Sequence, residues 1–181
     1  MIILASNSPR RKELMHYITD DFIIKSAEVD ETLKDGVTPE EAVMYLSKIK
    51  ALPFKNENDI VIGADTVVCI DGTILGKPEN EKDAKRMLRL LSGKTHSVFT
   101  GICVIKGEEI ENIAVETKVK FFELTESEIE QYVKTGEPLD KAGAYGIQGY
   151  GSLLVEGIEG DYFNVVGLPV SALYRVLHKY S

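Results

Sequence analysis

No apolar run in this 181-residue sequence approaches the ~18 residues that a membrane-crossing helix needs, which argues against a membrane-spanning chain. A secretion signal is not expected either. Met1-Ile2-Ile3-Leu4-Ala5 turns polar at once and has no basic leader, so a cytoplasmic location is expected. Cysteine is scarce. Cys69 and Cys103 both sit in apolar, strand-like runs. Two thiols make no disulfide framework, and no metal-ligand spacing surrounds them, so they read as reduced core residues. Positive charge is in deficit, with 21 Lys and Arg against 29 Asp and Glu and a net charge of -8. That balance disfavours duplex nucleic acid, whose binding rests on neutralising phosphates. No aromatic-basic stripe suggests single strands either. A small anionic ligand stays open, because a local basic pocket or a divalent metal can exist on an acidic protein. Among His16, His96 and His178 there is no Ser-His-Asp or Cys-His spacing. No P-loop and no dinucleotide-binding glycine fingerprint occurs.

What is present is an ordinary globular composition, 44% hydrophobic and 28% charged, which argues against wholesale disorder. The length suits one domain over residues 1–181. Strand-like and helix-like segments alternate throughout. Residues 1–5 and 21–26 read as strands. Between them, Ser8 caps a helix with Pro9 at its first position and Leu14, Met15 and Ile18 as its stripe. Thr38-Pro39-Glu40-Glu41 is a capping box for a helix with Ala42, Val43, Leu46 and Ile49 inward. Residues 60–70 form a β-rich run, Asp71-Gly72 a hairpin turn, and 73–75 the return. Asn80 caps a helix carrying Ala84, Met87, Leu88 and Leu91. Strands are expected over 96–105 and 109–122, a helix from the capping box at Thr125, a strand over 152–158 and a last helix from Pro169 to Lys179. The expected class is therefore α/β (mixed α+β), a mixed twisted sheet flanked by helices.

Four features carry chemistry. Ser8-Pro9-Arg10-Arg11 puts two arginines into a helix first turn, where the macrodipole favours acidic residues. Either these are two solvated arginines, or an anion docks there and reverses the sign, in which case hydroxyls, backbone N–H groups and guanidinium forks make a phosphate site. Asp65 lies inside a long apolar run. It must meet a metal, a cation or water, or else bond to a turn at the strand end. Thr66 then faces the opposite side of a regular strand. Lys77 and Lys94 follow glycines and Lys141 lies two residues before Gly143, a context more often a turn with a solvated lysine. Gln148 lies in a run of small residues, Ala142 to Gly149; it either reads a nucleobase edge or decorates a surface loop.

Together these features resemble the Maf-type nucleoside triphosphate pyrophosphatases over nearly the whole chain. The matching blocks include Leu4-Ala5-Ser6-Asn7-Ser8-Pro9-Arg10-Arg11, Gly63-Ala64-Asp65-Thr66, Leu75-Gly76-Lys77-Pro78, Ser92-Gly93-Lys94, Glu137-Pro138-Leu139-Asp140-Lys141-Ala142-Gly143-Ala144-Tyr145-Gly146-Ile147-Gln148-Gly149 and Asn164-Val165-Val166-Gly167-Leu168-Pro169. The resemblance implies two lobes with a central cleft, as in inosine triphosphate pyrophosphatases. It implies hydrolysis of a nucleoside triphosphate to monophosphate and pyrophosphate with a divalent metal, Mg or Mn. It makes Asp65 the proton acceptor and Arg10, Thr66 and Gln148 the base-selecting positions, in the pattern of the branch acting on dTTP and UTP. A homodimer is compatible with it. Beside the resemblance, Glu31 is a candidate second acidic metal ligand. Ser6, Arg11, Lys48, Lys77 and Lys141 are candidates for the phosphates. The rival reading is a nucleotide-sensing regulator of cell division or septum formation that binds triphosphates without turnover.

Overall fold

The computed structural model describes residues 1–180. Its elements are β1 (Ile2–Leu4), α1 (Pro9–Met15), β2 (Phe22–Ile24), α2 (Pro39–Ala51), β3 (Ile60–Ile70), β4 (Thr73–Leu75), α3 (Glu81–Leu91), β5 (Thr95–Lys106), β6 (Glu109–Phe121), α4 (Glu126–Lys134), β7 (Val155–Glu159), α5 (Tyr162–Val166) and α6 (Val170–Leu177). Seven strands form one mixed sheet in the order β2-β1-β3-β5-β6-β7, with β4 paired to β3 off that path. β1 is parallel to both β2 and β3, whereas β3–β4 and β6–β7 are antiparallel. Among the described residues no helix is long and apolar enough to cross a membrane.

Local chemistry explains the boundaries. Thr38 accepts from the Glu41 N–H while Glu41 accepts from the Thr38 N–H, and Thr125 and Glu128 repeat the arrangement. Each reciprocal pair satisfies two backbone donors that a helix start leaves open. Asp71 and Gly72 both take positive φ, 48° and 75°, as a two-residue hairpin turn requires. Along β6, Thr117, Val119 and Phe121 are buried and alternate with exposed Glu116, Lys118 and Lys120, the period-two pattern of a half-buried strand.

Three expected spans shift. Residues 149–154 form a 3-10 turn, so the strand runs Val155–Glu159 rather than 152–158. Backbone here turns because Gly149 sits at φ 63°. Helix α1 ends at Met15, with Tyr17 and Ile18 amides bonding back to Leu14 and Met15 carbonyls in a closing turn. Helix α6 stops at Leu177 and tightens into a 3-10 turn over His178–Tyr180.

The chain divides into two compact units, one made of residues 1–66, 100–115 and the chain from Gly167 onward, the other of 67–99 and 116–166. The first has a core of Ile3, Ala5, Ala51, Val61, Cys103 and Ile105. Here α2 lies hard against the sheet. A Cβ on Gly63 would run into the Ser47 carbonyl and Ala51, and one on Gly101 into the Val43 carbonyl. The missing side chains are what let the helix approach. The second unit packs Met87, Leu88 and Leu91 of α3 with Ile129, Tyr132 and Val133 of α4 and with Val119, Phe121 and Tyr145.

Within that second core, His96 is 2% exposed. Its Nε2 lies 2.6 Å from the Tyr145 hydroxyl, and its ring meets Phe121 and Tyr145 edge-on. Burial pulls the imidazole down to about 4, so the folded protein keeps it neutral where an unfolded chain takes a proton. Stability is therefore intact above the unfolded value of about 6.5 and is lost as pH falls from there towards about 4. About 2 kcal/mol should be lost from this group by pH 5. Urea unfolding of wild type and His96→Phe at pH 7.5 and 5 checks this. The part of the pH dependence due to His96 should vanish in the variant.

Candidate active site

The site grows from the ends of β1 and β3. Strand β1 delivers Ser6, which is 8% exposed, and the chain then enters α1. Ser8 caps that helix by accepting from the Arg11 N–H. This geometry turns Arg11 inward. Its Nε donates to the Gly167 carbonyl at 2.8 Å, Nη2 to the Thr66 hydroxyl at 3.0 Å and Nη1 to the Ser6 hydroxyl at 3.5 Å. Thr66 in turn shares a 2.8 Å hydroxyl contact with fully buried Thr100. Burial lowers the pKa of the guanidinium. Asp65 opposes that shift, Arg10 reinforces it by like charge and Glu31 opposes it again. Arg11 is thus both a donor fork and a cation close enough to the acidic groups to feel them.

Asp65 occupies the buried run of β3 and is 8% exposed. Its partner is Lys50 of α2, with Nζ 2.5 Å from Oδ1. The same ammonium lies 3.1 Å from Glu31 Oε1, so one cation bridges two carboxylates. Glu31 is the open end of the cluster, with its side chain 54% exposed, against 21% for Lys50 and 12% for Asp65. Chemically this is an acidic pair pre-arranged around a positive charge: a buried carboxylate that could accept a proton, with an ammonium held beside it.

Sequence alone offers Lys48 for the phosphates; the residue the structure brings to Asp65 is Lys50. The two lie 200° apart around a helix at about 100° per residue, and Lys48 is exposed. A signal for Lys50 exists in the sequence. It continues the buried spacing Val43, Leu46, Ser47, and a lysine placed on an inward stripe needs an acidic partner. Ile49, expected inward, is only half-buried. Thr100 and the Gly167 carbonyl leave no comparable signal, because they act through bonds closed only by the fold.

Of the remaining predicted residues, Lys77, Lys141 and Gln148 belong to the second unit and Arg10 to the first. Lys77 and Gln148 are exposed. Lys141 donates to the Glu137 carbonyl and to Asp140 Oδ1, both at 2.8 Å. Arg10 is half-buried in the first turn of α1. Among the described residues no three His, Cys, Asp or Glu side chains gather as a metal cage. Two carboxylates suffice for Mg²⁺, which typically takes one or two of them and completes its shell with phosphates and water. The Asp65–Glu31 pair, already arranged around an ammonium, has that donor chemistry.

Known proteins share much of this sequence. The Maf-like protein family profile matches residues 1–180. The dTTP/UTP pyrophosphatases of Bacillus cereus (strain G9842) and Bacillus mycoides (strain KBAB4) are each 51% identical over 182 residues, covering 99% of this chain and 95% of theirs. The Staphylococcus aureus Ham1 protein matches 66% of this chain and 71% of its own, with 18% identity and a TM-score of 0.47. Matched by the family profile along its length and sharing half its residues with these relatives, the chain belongs to the Maf-like protein family.

Proposed function

We propose that this protein hydrolyses dTTP and UTP, with modified pyrimidine triphosphates as further substrates, to the nucleoside monophosphate and pyrophosphate. The observation that carries this reading is the Asp65–Lys50–Glu31 cluster, a buried carboxylate held by one ammonium next to an inward-facing arginine. The substrate choice follows the relatives, which are named dTTP/UTP pyrophosphatases. A cytoplasmic location and a homodimer belong to the same reading.

In this scheme Asp65 takes the proton from the water that attacks the phosphorus, and the bond between the α and β phosphates breaks. Lys50 holds Asp65 aimed and offers its ammonium to the charge that spreads over the phosphate oxygens. Arg11 and Ser6 bind phosphate. Each guanidinium nitrogen of Arg11 already has one N–H committed within the protein, so the group is pre-oriented rather than floppy. Lys48, Lys77 and Lys141 contribute further phosphate contacts. Arg10, Thr66 and Gln148 select the base. Asp65 and Glu31 would also hold a divalent cation, Mg²⁺ or Mn²⁺, whose chemistry when bound is charge neutralisation on the triphosphate.

Pyrophosphate release measured over dTTP, UTP, dCTP, dATP and GTP tests the reading. Turnover is expected on dTTP and UTP, and it should disappear with EDTA and return with excess Mg²⁺ or Mn²⁺. Tight triphosphate binding with no turnover on any member would instead favour the nucleotide-sensing regulator of cell division or septum formation.

A further inference from the structure

We propose that Glu137 is a positioning residue for base selection: its carboxylate clamps the loop Gly146–Gly151, which carries Gln148. The inference rests on the reading of Gln148 as a base-selecting residue. The clamp itself is visible in the hydrogen bonds. Glu137 opens a 3-10 turn just after Gly136, which bends the chain at φ 76°. Its Oε1 accepts from the Tyr132 hydroxyl at 2.8 Å and from the Gly151 N–H at 3.0 Å. Its Oε2 accepts from the Tyr150 N–H at 3.1 Å. The Tyr132 oxygen then accepts from the Gly146 N–H at 3.1 Å. Both ends of the six-residue loop are therefore tied to one carboxylate, directly at 150 and 151 and through one phenol at 146.

The space between the ties is short. Ile147 is buried at 8%, Gln148 is exposed, and Gly149 turns at φ 63° with no room for a side chain, since a Cβ would lie 2.8 Å from Glu137 Oε2. With 146, 150 and 151 fixed and Ile147 anchored, the backbone at Gln148 has little freedom left. On the other side of the turn, Lys141 donates to the Glu137 carbonyl, which holds the clamp itself. Burial raises the Tyr132 phenol above its usual value; the Gly146 N–H opposes that shift and the Glu137 carboxylate adds to it. The phenol thus stays protonated and able to donate.

A carboxylate is needed rather than any polar group. Three donors converge on two oxygens, and a carboxylate accepts at both. A glutamine amide accepts at only one oxygen and turns an N–H group towards another N–H. Glu137→Gln therefore keeps the size of the side chain while opposing one tie.

The test compares kcat/KM for dTTP, UTP, dCTP and GTP in wild type, Gln148→Ala, Glu137→Gln and the double variant, with thermal midpoints recorded alongside. Gln148→Ala should erode discrimination for the preferred bases. Glu137→Gln should erode it by about tenfold or more, and should add little in the Gln148→Ala background, because both act through one side chain. Tyr132→Phe, which cuts only the phenol links, should show the same change in smaller degree and stands in if Glu137→Gln fails to fold. Selectivity intact in Glu137→Gln but lost in Gln148→Ala would overturn the clamp and leave the base-reading role standing. A uniform fall in rate on all four nucleotides, with a lowered thermal midpoint, would also overturn it, since that is what a purely structural role produces. Selectivity intact in Gln148→Ala would sink the base-reading role and the clamp together.

Discussion

Asp65→Asn is expected to slow pyrophosphate release by about a thousandfold, within the range that a positioned general base contributes. The substitution keeps the shape of the side chain and leaves an oxygen for Lys50. It removes the negative charge, and with it the capacity to take a proton from water. Because Lys50 retains Glu31 as a partner at 3.1 Å, the fold should survive. Unfolding midpoints should then lie close to wild type, and calorimetric titration with a non-hydrolysable triphosphate should still detect binding. Wild-type turnover in this variant would remove Asp65 from the chemistry altogether.

Lys50→Met is expected to damage stability and rate together. The methionine fills the space of the lysine stem but leaves Asp65 and Glu31 without the cation they share. Loss of one partner from a fully buried pair costs about 3–5 kcal/mol. This cluster is open at Glu31, so a loss of about 2–3 kcal/mol is the scaled expectation. The rate should fall by about a hundredfold or more, from a misaligned base and one missing positive charge. The double variant Lys50→Met/Asp65→Asn makes the two effects separable. Removing the buried charge should restore much of the stability while activity stays absent. Denaturant titration of the three variants against wild type reads the coupling directly. If Lys50→Met proves as stable and as active as wild type, the bridging ammonium is incidental.

Much of the architecture can be read from local chemistry. The capping boxes at Thr38 and Thr125, the Asp71-Gly72 hairpin and the alternation of Thr117, Val119 and Phe121 each depend on residues within a few positions of one another. Asp65 is legible for a different reason. A carboxylate in an apolar run is costly enough to demand an explanation wherever it stands. What stays hidden in sequence is the partner. Lys50 and Lys48 look alike as letters; the inward spacing of Val43, Leu46 and Ser47 separates them, but that Asp65 is what Lys50 meets shows only in the fold. The Gly149–Leu154 turn was masked by its apolar Leu153 and Leu154, which read as the start of a strand. Arg11 is bound to a carbonyl 156 residues away and a hydroxyl 55 away, and such pairings have no local signature. Glu137 is quoted readily as part of a motif, yet its bonds to Tyr132, Tyr150 and Gly151 depend on a loop geometry that composition does not disclose.

The tie between Arg11 and Gly167 has a kinetic side. The unit that holds Asp65, Lys50 and Arg11 is sewn from three separated stretches of chain. During synthesis the first 66 residues leave the ribosome long before residue 167 exists. Until then Arg11 lacks its carbonyl acceptor, and α6, whose Leu173 is fully buried, has yet to form. Contacts of such long sequence separation carry a loop-closure cost and form late. The intervening residues 67–99 and 116–166, with their own core, can collapse earlier. Nascent chains would thus pass through a stage with that core assembled and the acidic cluster still unframed, which ends when Gly167 and α6 dock.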